Sequence, residues 1–444
     1  MSQSTKQSIW RVAWKLALRQ IQRSSIWMNI LTVAIMVLTF LNLVLITGIL
    51  TGLTEGIFND NRSQYTGDVL ISTLTGEEII ENAYAIEATL ESHPDIENYT
   101  VRYVKQSTVE ANYQTRWDFD AQENSVSMEL VGINPIRENT VTNLSGSVLV
   151  GEYLREGESG YILLGSDNLS EYTEFSDSFD PLKNIAPGTR VKVSYSAGAT
   201  AENAASGPHG GGDNGSGVDR SGVSAEFIVK GIVESKVSQV AKRAYITTDD
   251  WNRLVGGAVD GANEFAIVLI PGVGEQVVAD ELRGYGFGNY AKIETAEEAI
   301  PSVLDDLSKT FGLLGNASGG VAVVVSAITV FVVIYINALT RRKQIGILKG
   351  IGIKGEAIKR AYIMQSLFYA IVGSVIGYVL IFFIFIPHFN ANPIDFPVSD
   401  GILAATFWGT TLRAFILVSV TAIAGYIPAW LIVRQNTLDS ILGR

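Results

Sequence analysis

Few side chains in this sequence are of a type and at a spacing that could make or break bonds. The 444 residues include no cysteine, which removes thiolate nucleophiles, thiolate metal sites and disulfides together. Histidine occurs three times, at His93, His209 and His388, and no H-E-x-x-H is present. No G-x-x-x-x-G-K-[ST] loop could cradle phosphate, and there is no G-x-S-x-G elbow. GYGFGNY, Gly284 to Tyr290, follows a helical pattern instead of a strand and so reads as a turn. Asp213, Asn214 and Asp219 stand among glycines in the manner of a calcium turn, but as one imperfect copy of a motif that works in tandem. The expectation is a chain that is not an enzyme and holds no cofactor or metal of its own.

What remains is non-covalent chemistry, concentrated in RRKQIGILKGIG, Arg341 to Gly352. Ile345, Leu348 and Ile351 recur at i, i+3 and i+6, an apolar stripe for a short helix, with Arg341, Arg342 and Lys349 largely off it. Gly346 and Gly350 permit close approach of another backbone. Gly352 and Gly355 are placed to stop the helix before a second one begins. Such a segment suits docking into a groove on a soluble partner. The plainer alternative is an interfacial helix held by lipid headgroups.

The elements around it are apolar enough to span a membrane. The chain is 47 % hydrophobic with a mean hydropathy of +0.23, and a bilayer core of about 30 Å needs roughly 20 helical residues. Four stretches qualify, expected at 26–53, 310–340, 361–387 and 413–433. Asn42 and Asn337 within them read as interhelical hydrogen-bonding groups. No span carries a carboxylate or lysine that could relay ions, so any pumping must draw its energy from elsewhere. The first run is too long for a cleaved signal peptide and reads as a signal anchor.

Loop charges set the orientation. Residues 1–25, 341–360 and 434–444 together carry 14 basic and 2 acidic residues, which marks the cytoplasmic side. The segment Glu55 to Lys309 has 41 acidic and 18 basic residues and belongs outside, where its field repels nucleic acid and anionic lipid. The expected fold class is an α-helical membrane protein with four transmembrane helices, one before and three after a large mixed α/β extracytoplasmic domain. That domain is expected over 54–309, with its β-rich part at about 145–247 and a mobile Gly-rich loop at 197–222. An external loop is expected over 388–412, a cytoplasmic amphipathic helix over 1–25 and a cytoplasmic tail over 434–444. Within the domain, DVLIST, ENYTVRYVKQSTVEANY, SMELVGI, GYILLGS, PGTRVKVSYS, AEFIVKGIVES, RAYITT and EFAIVLIP read as strands. Thr75 with Glu78, and Thr295 with Glu298, read as capping boxes opening helices.

The stretch RRKQIGILKGIGIKGEAIKRAYIMQSLFYAIVGSVIGYVL resembles the signature region of FtsX/MacB/LolC-type permeases, the membrane subunits of type VII ABC transporters. WRVAWKLALRQIQRSS resembles that family's basic amphipathic helix before the first span. YIPAWLIVRQNTLDSIL resembles its closing segment, with Pro428, Ala429 and Arg434 matching. The β-rich order of the outer domain and the one-plus-three span topology agree, so the resemblance covers nearly the whole chain. Gln344 and Gln365 stand where the family commonly has Glu, and Thr437 where it often has Pro.

The resemblance implies that 341–360 is a coupling segment docking on a separate ATPase subunit, with ATP and Mg held there and none on this chain. Arg342, Ile345, Leu348, Lys349 and Gly352 are the residues it nominates for coupling, with Ile345 and Leu348 as docking knobs. Gly373 and Gly377 offer a small-xxx-small face for helix packing. It further implies a second permease copy or a paralogue, an extracytoplasmic adaptor or lipoprotein partner, and a multi-pass place in a prokaryotic plasma or inner membrane with both termini cytoplasmic. Membrane lipids are partners and nucleic acid is not. The implied activity is export or extraction of a hydrophobic, peptide or lipoprotein cargo by mechanotransmission. The alternative is a regulatory subunit controlling a cell-wall hydrolase or sensor, and the large outer domain favours the transporter.

Overall fold

The computed structural model describes residues 3–23, 25–114, 123–173, 180–195, 223–255, 261–340, 342–396, 399–401 and 403–434. The expected mobile loop at 197–222, with His209, Asp213, Asn214 and Asp219, lies outside the described residues, as does Arg341.

The chain forms two compact units, one of Met1–Gly56, Val303–Phe396 and Asp400–Arg444, the other of Ile57–Ser302 with Pro397–Ser399. The first is helical. It comprises α1 (Gln3–Gln22), most of α2 (Ile26–Asn61) and, after the second unit, α8 (Ser302–Thr340), α9 (Arg342–Gly350), α10 (Gly355–Leu380), α11 (Ile386–Ala391) and α12 (Phe407–Arg434). A π turn, Ile381–Phe385, joins α10 to α11, and the short strands β11 (Ile394–Phe396) and β12 (Ser399–Gly401) pair before α12. The helices that contain the four apolar runs are each long and apolar enough to cross a membrane. Their packed core joins Met36, Val330, Ile334, Ala338, Tyr362 and Tyr369. Arg413, expected at the leading edge of the last span, stands inside α12, because the helix starts six residues earlier at Phe407.

The second unit begins with the end of α2 and a π turn, Arg62–Thr66. It continues through β1 (Val69–Thr73), α3 (Ala83–Ser92), β2 (Ile96–Glu110), β3 (Ser125–Ile133), α4 (Pro135–Thr142), β4 (Val148–Gly151), β5 (Tyr161–Gly165), β6 (Arg190–Tyr195) and β7 (Val223–Val233). After these come α5 (Ser238–Ala241), β8 (Arg243–Thr247), α6 (Thr248–Val255), β9 (Glu264–Leu269), α7 (Glu275–Gly284) and β10 (Ala291–Thr295). One lobe is the antiparallel sheet β10-β1-β9-β2, with α3 and α7 packed on one face over Ile71, Phe265 and Ile267. The other lobe closes on itself, since β6 pairs with both β2 and β7 and completes the ring β2-β3-β8-β5-β7-β6. Its interior holds Met128, Leu130, Leu164, Val193, Phe227 and Trp251. The 15 residues of β2 serve both lobes.

Side chains alternate along a strand, so Leu70, Val131 and Ala266 face away from these two cores and join Tyr65 and Val141 in a third apolar layer. Two capping signatures behave differently from the sequence expectation. Thr75 to Glu78 forms a turn at Gly76 with φ +94°, and the helix starts only at Ala83. The preceding segment is held by Ile80, whose N–H donates to the Ala262 carbonyl at 2.7 Å. Thr295 and Glu298 do bond reciprocally, at 3.1 and 3.3 Å. They close a turn after β10, however, and Pro301 delays α8 until Ser302, because the residue before a proline is kept from helical geometry.

Candidate functional site

Helix α9 is the segment singled out by its cations and glycines, and its apolar residues divide between two surroundings. Ile345 is 2 % exposed and belongs to the helical unit's own core, with Leu348 and Ile353 packed beside it. The expectation of Ile345 as a docking knob is therefore corrected, since Ala338, Ile358 and Tyr362 lie in the same cluster and cover it, while Leu348 is only partly buried there. Ile347 and Ile351, at 52 % and 75 % exposed, are the apolar residues α9 and its C-terminal turn present outward. Lys343 and Gln344 are exposed beside them. Lys349 is half-buried; burial pushes its ammonium pKa down, and the nearby Lys359 adds to the effect. For Arg342 the backbone opens α9, and its side chain lies outside the described residues.

The end of α9 is set by Gly352. Its φ is +94°, in the left-handed region, where a residue without Cβ carries no steric penalty. The Gly352 N–H donates to the Lys349 carbonyl and the Ile353 N–H to the Leu348 carbonyl, both at 3.0 Å. This is the paired pattern of a Schellman stop, and its first and last residues, Leu348 and Ile353, both pack against the helical unit's core. The chain thus turns sharply from α9 into α10.

Gly373 and Gly377 of α10 are buried against α2. A Cβ on Gly377 would meet Phe40 Cδ1 at 2.5 Å, and one on Gly373 would overlap Met36 Cβ. Nearby, a polar joint escaped the sequence reading. Tyr369 Oη donates to Asn29 Oδ1 at 2.6 Å and accepts from Gln365 Nε2 at 3.1 Å, while Asn29 Nδ2 donates to the Ile21 carbonyl at 2.9 Å. These bonds tie the end of α1, the start of α2 and α10 together. Asn42, weighed as an interhelical donor, is exposed, and the Asn337 side chain lies outside the described residues.

The second unit has its own concentration of chemistry in the layer under α4. The guanidinium groups of Arg102 and Arg243 both lie over the Tyr65 ring, each 5.1 Å from its centroid. Tyr65 Oη donates to Glu264 at 3.0 Å. Arg243 grips Glu264 at 2.5 and 2.9 Å, and Arg102 pairs with Glu138 at 2.7 Å and with Glu264 at 3.3 Å. Thr100 and Thr142 complete the Glu138 carboxylate at 2.9 and 3.0 Å. Burial alone would raise the Glu264 pKa, but the Arg243 and Arg102 charges and the bonds around it hold it down to about 2. Burial first, and then Glu264, push the Tyr65 phenol above its ordinary value. The cluster fastens the turn after α2 to β2, α4, β8 and β9. Its members are 162 residues apart in sequence, as Arg102 and Glu264 are, so no local motif could announce it. Among the described residues no group of three His, Cys, Asp or Glu could hold a metal ion.

Residues 316–437 match a family model described as FtsX-like permease C-terminal. Among solved structures, the periplasmic region of MacB from Actinobacillus actinomycetemcomitans aligns at 13 % identity and a TM-score of 0.33, over 54 % of this chain and 94 % of that one. The extracellular domain of the noncanonic ABC-type transporter YknZ from Gram-positive bacteria aligns at 13 % identity and a TM-score of 0.28, over 51 % of this chain and 98 % of that one. No curated protein matches the chain.

Proposed function

We propose that this chain, whose residues 316–437 are an FtsX-like permease C-terminal domain, is the membrane subunit of an ABC transporter coupled to a separate ATPase. The observation that carries the reading is α9: a nine-residue helix between two apolar helices, stopped by Gly352, with Ile347 and Ile351 exposed beside Lys343. An exposed apolar pair on a short, rigidly terminated helix is what a groove on a soluble partner recognises. ATP and Mg bind that partner. Arg342, Lys349 and Gly352 orient the segment, and Ile345 and Leu348 anchor it to the helical unit, so a push on α9 reaches α8 and α10 through their shared core.

Because α2 and α8 also lead into the outer unit's chain, movement imposed at α9 is passed to that unit mechanically. The working form pairs this subunit with a second copy or a paralogue, and an extracytoplasmic adaptor or lipoprotein completes it. The cargo class is hydrophobic, peptide or lipoprotein. Both termini are cytoplasmic and the acidic unit is extracytoplasmic.

Co-purification of the full chain with its candidate ATPase tests the coupling. Ile347→Asp with Ile351→Asp is expected to lose the ATPase while the thermal midpoint is kept. Ile345→Asp is expected to lower the midpoint itself, because it places a charge in the core. An ATPase retained in full by the Ile347/Ile351 variant would refute the docking surface.

A further inference from the structure

Helix α1 carries a site that docking of an ATPase does not use. Ala13 and Ala17, 0 % and 3 % exposed, are the face it lays along α10. Next around the helix come Trp10, Trp14 and Leu18, at 53 %, 60 % and 46 % exposed. Beyond these lies a stripe of exposed cations, Arg11, Lys15 and Arg19. The first acidic residue of the chain is Glu55, so nothing on α1 neutralises the stripe.

Trp10, Arg11, Trp14 and Lys15 line, with Met364 of α10, an open cleft of about 580 Å³. Arg360 of α10 stacks on one wall of the cleft, its guanidinium 5.1 Å from the Trp10 ring centroid. Its Nη2 pairs with the exposed Glu356 at 3.5 Å, whereas its Nη1 is buried with no hydrogen-bond partner among the described residues. A buried cationic donor without an acceptor is costly, and the cleft beside it is rimmed by two further cations. Indole rings settle at the headgroup level of a bilayer, and clustered Lys and Arg beside them attract lipids of net negative charge.

We infer that the cleft between α1 and α10 holds the phosphate of an anionic phospholipid, with Arg11, Lys15 and Arg360 as its partners and Trp10 and Trp14 against its chains. The inference rests on the membrane placement proposed above. A zwitterionic lipid fits less well, because its own cation would meet three more.

The test counts lipids retained by the detergent-purified full chain, using native mass spectrometry with equal phosphatidylglycerol and phosphatidylcholine supplied. The wild type is expected to retain phosphatidylglycerol preferentially. Arg11→Gln with Lys15→Gln is expected to lower that preference roughly thirtyfold, while the charge-matched control Lys343→Gln with Lys354→Gln keeps it. Equal loss in both variants would mean diffuse attraction only, and no loss in either would mean no role for the cleft; each overturns the inference. Added inorganic phosphate should leave the lipid in place, and competition by it would show a site for free anions instead. Retention of neither lipid would instead count against the membrane placement itself.

Discussion

Arg102 is 1 % exposed, and its guanidinium is shared between Glu138, Glu264 and the Tyr65 carbonyl. Removing one partner from such a set leaves the others charged and dry. Arg102→Met is therefore expected to cost about 3–5 kcal/mol, read as a lowered thermal midpoint of the full chain. Glu264 gives the cluster a pH signature. Its folded pKa, about 2, lies below the ordinary 4.5, so folding favours the ionised form. The stabilisation is complete above pH 4.5 and is lost as pH falls through about 2. Unfolding midpoints measured across that window should drop on acidification. Glu264→Gln should flatten the dependence while lowering stability at neutral pH, and an unchanged slope would mean that Glu264 is not the group responsible. Neither Arg102 nor Glu264 is conspicuous in sequence, since each sits on an ordinary alternating strand and only the fold brings them together.

Among the elements, α9 depends most on a single backbone conformation. Gly352→Ala would force a Cβ into the left-handed region at φ +94°, at a cost of about 1–2 kcal/mol. With no neighbour within 4 Å of such a Cβ, the effect is conformational and not steric. Amide exchange in Leu348 to Ile353 should accelerate while the outer unit is unaffected, and unchanged exchange there would show that the stop is made by packing. The stop was legible because glycine followed an apolar stripe. Which way the stripe faces was not, because Ile345, Ile347, Leu348 and Ile351 look alike until tertiary packing covers Ile345, half-covers Leu348 and leaves the other two outside. The capping boxes carry the same lesson: the bonds of Thr295 with Glu298 form as read, and the proline after them decides that no helix follows at once.

For the whole molecule, charge separates the ends from the middle, and cysteine is absent, so single introduced cysteines report topology without background. Tyr84→Cys, at a site 84 % exposed in the outer unit, and Lys354→Cys, exposed after α9, are expected to react with a membrane-impermeant maleimide from opposite sides of sealed vesicles. Labelling of both from one side would overturn the topology. The sequence by itself determined the four apolar helices, the place of the mixed domain between the first and second, and the absence of nucleotide or nucleophile motifs. Length of apolar run, period and residue type are local properties and need no partner. Tertiary structure alone decided the closure of the second lobe by β6, the burial of Ile345, the buried Tyr65–Arg102–Arg243 cluster and the meeting of Arg360 with Trp10 of α1. Each of these joins residues far apart in the chain, and their free energy exists only once the segments between them have folded.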